Sequence, residues 1–69
     1  MNNLELEKEL TRTLESIDVQ IQALIERAKA MGIRASRMQD THGNFVLSPL
    51  LCARANVLVA IHQISNGVN

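Results

Sequence analysis

The feature that most constrains this chain is an apolar, helix-like run in its second half. Ser48-Pro49 opens the run, and aliphatic residues and alanines fill most positions from 50 to 64. On a helical projection they form two stripes, which Arg54 separates on one side and Asn56 and Gln63 on the other. The stripes are Leu50, Ala53, Val57, Ala60, Ile61 and Ile64, and Leu51, Cys52, Ala55, Leu58 and Val59. A helix that is apolar nearly all round must be buried nearly all round. We expect the first stripe to pack within the chain and the second to be covered by another chain.

Two helices are delimited by capping signals. Asn2 is a suitable N-cap, Glu5 stands where a capping box needs an acidic residue, and Gly32 can take the left-handed conformation that ends a helix. These signals predict a helix from about residue 3 to 31. Ser48 as N-cap and Pro49 at the first helical position predict a second helix over about 49–65.

The first helix carries a heptad pattern. Its apolar residues alternate in spacings of four and three, and they are Leu10, Leu14, Ile17, Ile21, Leu24, Ala28 and Met31. This stripe can pack on the second helix of the same chain or on a neighbouring chain, and the two arrangements are compatible. The predicted interface between chains therefore combines Leu10, Leu14, Ile17, Ile21 and Leu24 with Leu51, Ala55, Leu58 and Val59.

The connector, residues 33–48, is longer than most links between helices, which suggests that it has structure of its own. Asp40-Thr-His-Gly43 is typical of a tight turn, with Gly43 supplying a positive φ. Two short strands around it would form a small β-hairpin. The alternative is an ordered loop anchored by Met38, Phe45 and Leu47.

Length and composition predict one all-α domain over residues 1–69: a hairpin of one long and one shorter helix that forms a helical bundle as a homo-oligomer. The chain is 46% hydrophobic and has one aromatic residue, so its core must be aliphatic. Its single cysteine, Cys52, excludes an intramolecular disulfide. Chains of this size are only marginally stable alone, which favours association, most simply as a dimer.

The charges are unevenly distributed although the formal net charge is zero. Acidic residues predominate in residues 1–26 and basic residues in residues 27–69. This distribution complements the dipole of the first helix. It would also suit head-to-tail or antiparallel pairing of neighbouring chains.

No catalytic residues or cofactor site are predicted, and we expect the protein not to be an enzyme. Cys52 and His62 are ten residues apart on one helix, too far for a dyad. Asp40 and His42 share the turn, where turn chemistry accounts for them better than a metal does. The carboxylates of the first helix are expected to face outward and pair with Lys8 and Arg12.

A basic patch supports an alternative function, a small dimeric regulator that binds nucleic acid. The patch comprises Arg27, Lys29, Arg34 and Arg37, and its possible nucleic-acid contacts are Lys29, Arg34 and Arg37. Nucleic-acid binding is disfavoured because such proteins usually show a denser basic surface or stacking aromatic residues.

Membrane association is not expected. The N-terminus lacks the cationic region of a signal peptide, and the run from Leu50 to Ile64 is short for a span and contains Arg54. An intracellular location is expected, or the virion if the protein is a structural component of a phage.

The stretch from Met38 to Leu51, MQDTHGNFVLSPLL, followed by an alanine-rich helix, resembles short uncharacterised proteins encoded by phages of actinobacteria. The resemblance covers about half the chain and implies an accessory or virion-assembly role, with a larger protein as a further partner. It implies no role for any individual residue.

Overall fold

The fold is a helical hairpin. A computed structural model describes residues 2–67, so residue 1 and residues 68–69 of the predicted domain lie outside the described residues. Helix α1 spans Asn3–Met31, a single 3₁₀ turn spans Ala35–Arg37, and helix α2 spans Leu47–Ser65. The two helices pack on one another in a rod of 44 × 18 × 17 Å. The predicted all-α hairpin is confirmed, whereas its assembly into a bundle stays a prediction.

Both ends of α1 are closed by the predicted residues. At the start, the Asn2 side-chain oxygen accepts a hydrogen bond from the Glu5 N–H at 2.8 Å. At the end, Gly32 has φ of 71°, and the Ile33 N–H donates to the Ala28 carbonyl at 3.0 Å. This is a Schellman closure, which satisfies carbonyls that the last turn would leave free and reverses the chain toward α2.

The predicted N-cap of α2 is wrong. The helix begins at Leu47 rather than after Ser48, and no side chain caps it. The Val46 N–H donates to the Met38 carbonyl at 3.2 Å, and Val46 and Leu47 pack against the core beside Met38. This anchoring brings the chain into helical geometry earlier than the capping signal indicates. Pro49 is still tolerated because the first-turn N–H groups have no partner within a helix.

The connector forms an ordered loop, and within residues 2–67 no β-hairpin is present. Gln39 and Phe45 form one isolated antiparallel bridge around the turn. Met38 is buried and Leu47 half-buried, as an anchored loop requires. Phe45 does not anchor it, because its side chain is 52% exposed.

The core lies along one side of α1. Ile17, Ile21, Leu24 and Ala28 are buried there, and Ala28 is only 1% exposed. Met38 closes the connector end, where Leu24, Ala28 and Met38 form a cluster that Leu47 and Leu50 partly cover. The predicted intrachain stripe of α2 faces this core.

Candidate interaction surface

Helix α2 presents two different faces. The residues of the first stripe, which we call the inner face, are all half-buried, whereas those of the second stripe, the outer face, are all exposed. The outer face comprises Leu51, Cys52, Ala55, Leu58 and Val59. This division agrees with the prediction of which stripe packs within the chain.

The outer face is large and apolar for a surface. Leu51, Leu58 and Val59 are 48%, 38% and 56% exposed. Beside Leu58, the surface forms an open groove of about 510 Å³ that Ile61 also lines. None of the 19 residues of α2 is buried, although α2 is the more apolar of the two helices. Contiguous apolar surface is typical of interaction sites, which makes the outer face the candidate interaction surface.

The heptad stripe of α1 packs within the chain, which is one of the two arrangements predicted for it. Ile17, Ile21 and Leu24, predicted to lie at an interface between chains, are buried within the monomer because α2 of the same chain covers them. Leu10 and Leu14 are half-buried near the open end of the hairpin. The surface left for a partner is therefore chiefly the outer face of α2.

One ion pair joins the helices. The Arg54 Nε lies 2.7 Å from the Asp18 Oδ1, and both side chains are nearly half exposed. Sequence reasoning missed this pair, although a lone arginine between the two stripes of α2 and an aspartate next to Ile17 were available signals. The predicted pairs with Lys8 and Arg12 are wrong for residues 2–67, where the Asp18–Arg54 contact is the only salt bridge.

A second groove lies at the connector end of the hairpin. Its volume is about 580 Å³, and its lining includes Ile33, Arg34, Arg37 and the exposed ring of Phe45. Two of the three predicted nucleic-acid contacts thus line the same groove as an aromatic ring. Lys29, the third, is exposed on α1 but does not line the groove.

The Asp40 carboxylate organises the connector turn. Its Oδ1 accepts hydrogen bonds from the N–H groups of His42 and Asn44 at 2.8 and 2.9 Å. These bonds, first that from Asn44 and then that from His42, lower the pKa of Asp40 because they favour the charged form. Turn chemistry therefore accounts for Asp40, as predicted. Among the described residues, no three acidic, histidine or cysteine side chains cluster in a way that could hold a metal ion.

Helix α2 is longer than the apolar run from Leu50 to Ile64 on which the sequence-based argument against a membrane span rests. Leu47–Ser65 is long and apolar enough to cross a membrane by length and composition alone, with a mean hydropathy of 1.3. This criterion is weak for a single helix. Arg54 near the middle of α2 is paired with Asp18, and the inner face packs on α1, which favours a hairpin packed on itself.

Comparisons of the chain with models of known protein families, with curated proteins and with solved structures give no match.

Proposed function

We propose that this protein is a non-enzymatic interaction protein that associates with itself through the outer face of α2. The observation that carries the proposal is the exposure of all five outer-face residues on the more apolar helix. A second copy offers the same apolar surface. Closed symmetric pairing would bury both surfaces without open-ended growth.

The dimensions of the monomer support association. Its accessible surface is 5314 Å², against ~4300 Å² expected from the scaling for a compact chain of 7.7 kDa. Its radius of gyration is 14.9 Å, against ~11 Å for a compact domain of this length. Two helices cannot cover a core on every side. A second hairpin would supply the missing cover.

The resemblance to short phage proteins supports an accessory or virion-assembly role. In an infected cell or a virion, a larger protein that covers the outer face would take the place of the second copy. The chemistry of the contact would be the same, because any partner must remove these aliphatic side chains from water.

Substitutions on the two faces of α2 test the proposal. Leu58→Asp places a charge in the contact between chains, and an unpaired buried charge costs several kcal/mol. We expect it to reduce the mass measured by light scattering from oligomer to monomer and to lower helicity. Leu50→Asp places a charge on the inner face, against the core, and should unfold the hairpin at every concentration. Asn56→Asp, which adds the same charge at an exposed polar position, is the matched control and should keep the wild-type mass.

Concentration should be measured by refractive index, since the chain has no Trp or Tyr. A wild-type protein that is a stable monomer at micromolar concentration would contradict the proposal. So would a Leu58→Asp variant with wild-type mass and thermal stability. If the protein is a monomer and binds lipid vesicles, the outer face is a membrane contact and the proposal of self-association is wrong.

A second candidate function, nucleic-acid binding, is favoured by one observation: Arg34 and Arg37 line the connector groove together with the exposed Phe45. Basic side chains beside a stacking ring are typical of single-strand binding. Phosphate contacts would make the affinity for an oligonucleotide fall steeply with salt, and Arg34→Gln with Arg37→Gln should abolish it. A protein that shifts no DNA or RNA at low salt excludes this function.

A further inference from the structure

The two ends of the hairpin carry opposite charges. At the open end, the first half of α1 has four carboxylates against two basic side chains, a net charge of −2 over residues 2–15. At the connector end, four basic side chains stand against two carboxylates, a net charge of +2 over residues 24–46. Asp18 and Arg54, near the middle, neutralise one another. The molecule is thus an electric dipole along its 44 Å axis.

This dipole distinguishes the two ways in which outer faces can pair. In a parallel pair, like ends would lie side by side, and each would repel its neighbour. In an antiparallel pair, each acidic end lies beside a basic end, and both ends of the dimer are attractive. Electrostatic complementarity of this kind sets the orientation of partners more than it sets affinity.

The outer face has a matching internal symmetry. Its apolar residues lie at positions −4, −3, 0, +3 and +4 around Ala55. Reversal of direction about Ala55 therefore places Leu51 opposite Val59 and Cys52 opposite Leu58. A parallel pair would instead set Leu58 against Leu58 and Cys52 against Cys52. The antiparallel pair thus sets the small Cys52 against the large Leu58, which fills adjacent layers more evenly than Leu58 against Leu58, and Ala55 allows the helices to approach closely.

From the charges and the packing together, we infer that two copies pair antiparallel through α2 about a twofold axis near Ala55. The inference rests on the proposed self-association and specifies its geometry. The acidic first half of α1 then lies at the same end of the dimer as the connector of the partner, which carries Arg34 and Arg37.

Thiol crosslinking between two variants tests the orientation. On a Cys52→Ser background, Leu51→Cys and Val59→Cys are purified separately, mixed, and treated with a mild oxidant or a short bismaleimide. The antiparallel pair places position 51 against position 59 of the partner, so the mixture should give mainly the mixed covalent dimer. Each variant alone should give little, because like positions are about 12 Å apart along the axis, beyond disulfide reach.

Light scattering of the same variants separates this inference from the proposed function. Covalent homodimers from either variant alone would show parallel pairing and overturn the inference. A noncovalent dimer that gives no crosslink in any mixture would place the contact on another face and also overturn it. Monomers would contradict the proposed function itself.

Ionic strength gives an independent readout. Raising sodium chloride from low to physiological concentration shortens the Debye length to about 10 Å, so exposed charges farther apart than this no longer interact appreciably. The dissociation constant of the antiparallel dimer should rise severalfold, because salt screens the attraction between the acidic and basic ends. A dimer that tightens over this range would indicate that like ends are adjacent, and the inference would be wrong.

Discussion

A single carboxylate determines much of the shape of the connector. Asp40 accepts two backbone N–H groups through Oδ1, and its own N–H donates to the Asn44 carbonyl at 2.8 Å. Gly43, with φ of 82°, makes the return possible without the steric cost that another residue would incur. The turn brings Val46 to Met38, where the chain enters α2.

Protonation of Asp40 should weaken the fold. Its pKa is lowered in the folded protein, so the ionised carboxylate stabilises the fold above its unfolded pKa of about 3.8. That stabilisation is lost as the pH falls through the folded pKa. We expect Asp40→Ala to melt a few degrees below wild type at pH 6, as followed by circular dichroism. The difference should vanish once the pH falls below the folded pKa of Asp40. A difference that persists at low pH would assign the effect to packing rather than charge.

At the scale of the elements, the most completely buried side chain of the core is that of an alanine in α1. Ala28 is almost inaccessible, and Leu24 and Met38 surround it under Leu47 and Leu50. The Schellman closure of α1 follows within four residues. The core is therefore packed most tightly at the end where the chain turns from α1 toward α2.

Enlarging Ala28 should disturb this contact. Extra methylene groups in a well-packed core typically cost ~1–3 kcal/mol. We expect Ala28→Leu to lower the free energy of unfolding by an amount in that range, measured by urea titration. Ala30→Leu, an equal change at an exposed position of the same helix, is the control and should leave stability nearly unchanged. Equal effects of the two variants would show that Ala28 is not the point of closest packing.

At the scale of the whole molecule, the proposed self-association would couple folding to assembly. The monomer buries only Ile17, Ile21, Leu24, Ala28 and Met38 among the described residues, all at less than a tenth exposed. A core of this size gives little stability to a chain of 69 residues. Pairing of the outer faces would add aliphatic burial that the monomer cannot provide. Stability should therefore depend on how much protein is present.

The melting temperature should rise with protein concentration. A partner that binds only the folded state stabilises it by mass action, and the stabilisation grows with its concentration. We expect wild type to melt several degrees higher at a hundredfold greater concentration, as measured by calorimetry. The melting temperature of Leu58→Asp should not change with concentration. A wild-type melting temperature that does not change with concentration would show that folding does not depend on self-association.

The two helices, the caps of α1 and the two faces of α2 can be predicted from the sequence alone. These features depend on short-range physics: Asn2 and Gly32 act within one turn, and an apolar period is set by helical geometry. The exposure of Leu51, Leu58 and Val59 was predictable for the same reason. These predictions depend on residues close together in the sequence, and the structure agrees with them.

The alignment of α1 with α2 can be seen only in the tertiary structure. The heptad pattern of α1 is the same whether its own α2 or a neighbour covers it, so only the folded chain could assign Ile17 and Ile21 to the core. The pairing of Asp18 with Arg54 spans 36 positions and depends on that register. Met38 is buried and Phe45 is exposed, and the isolated bridge between Gln39 and Phe45 likewise depends on the folded connector. Such choices arise from contacts between distant segments, which no local pattern contains.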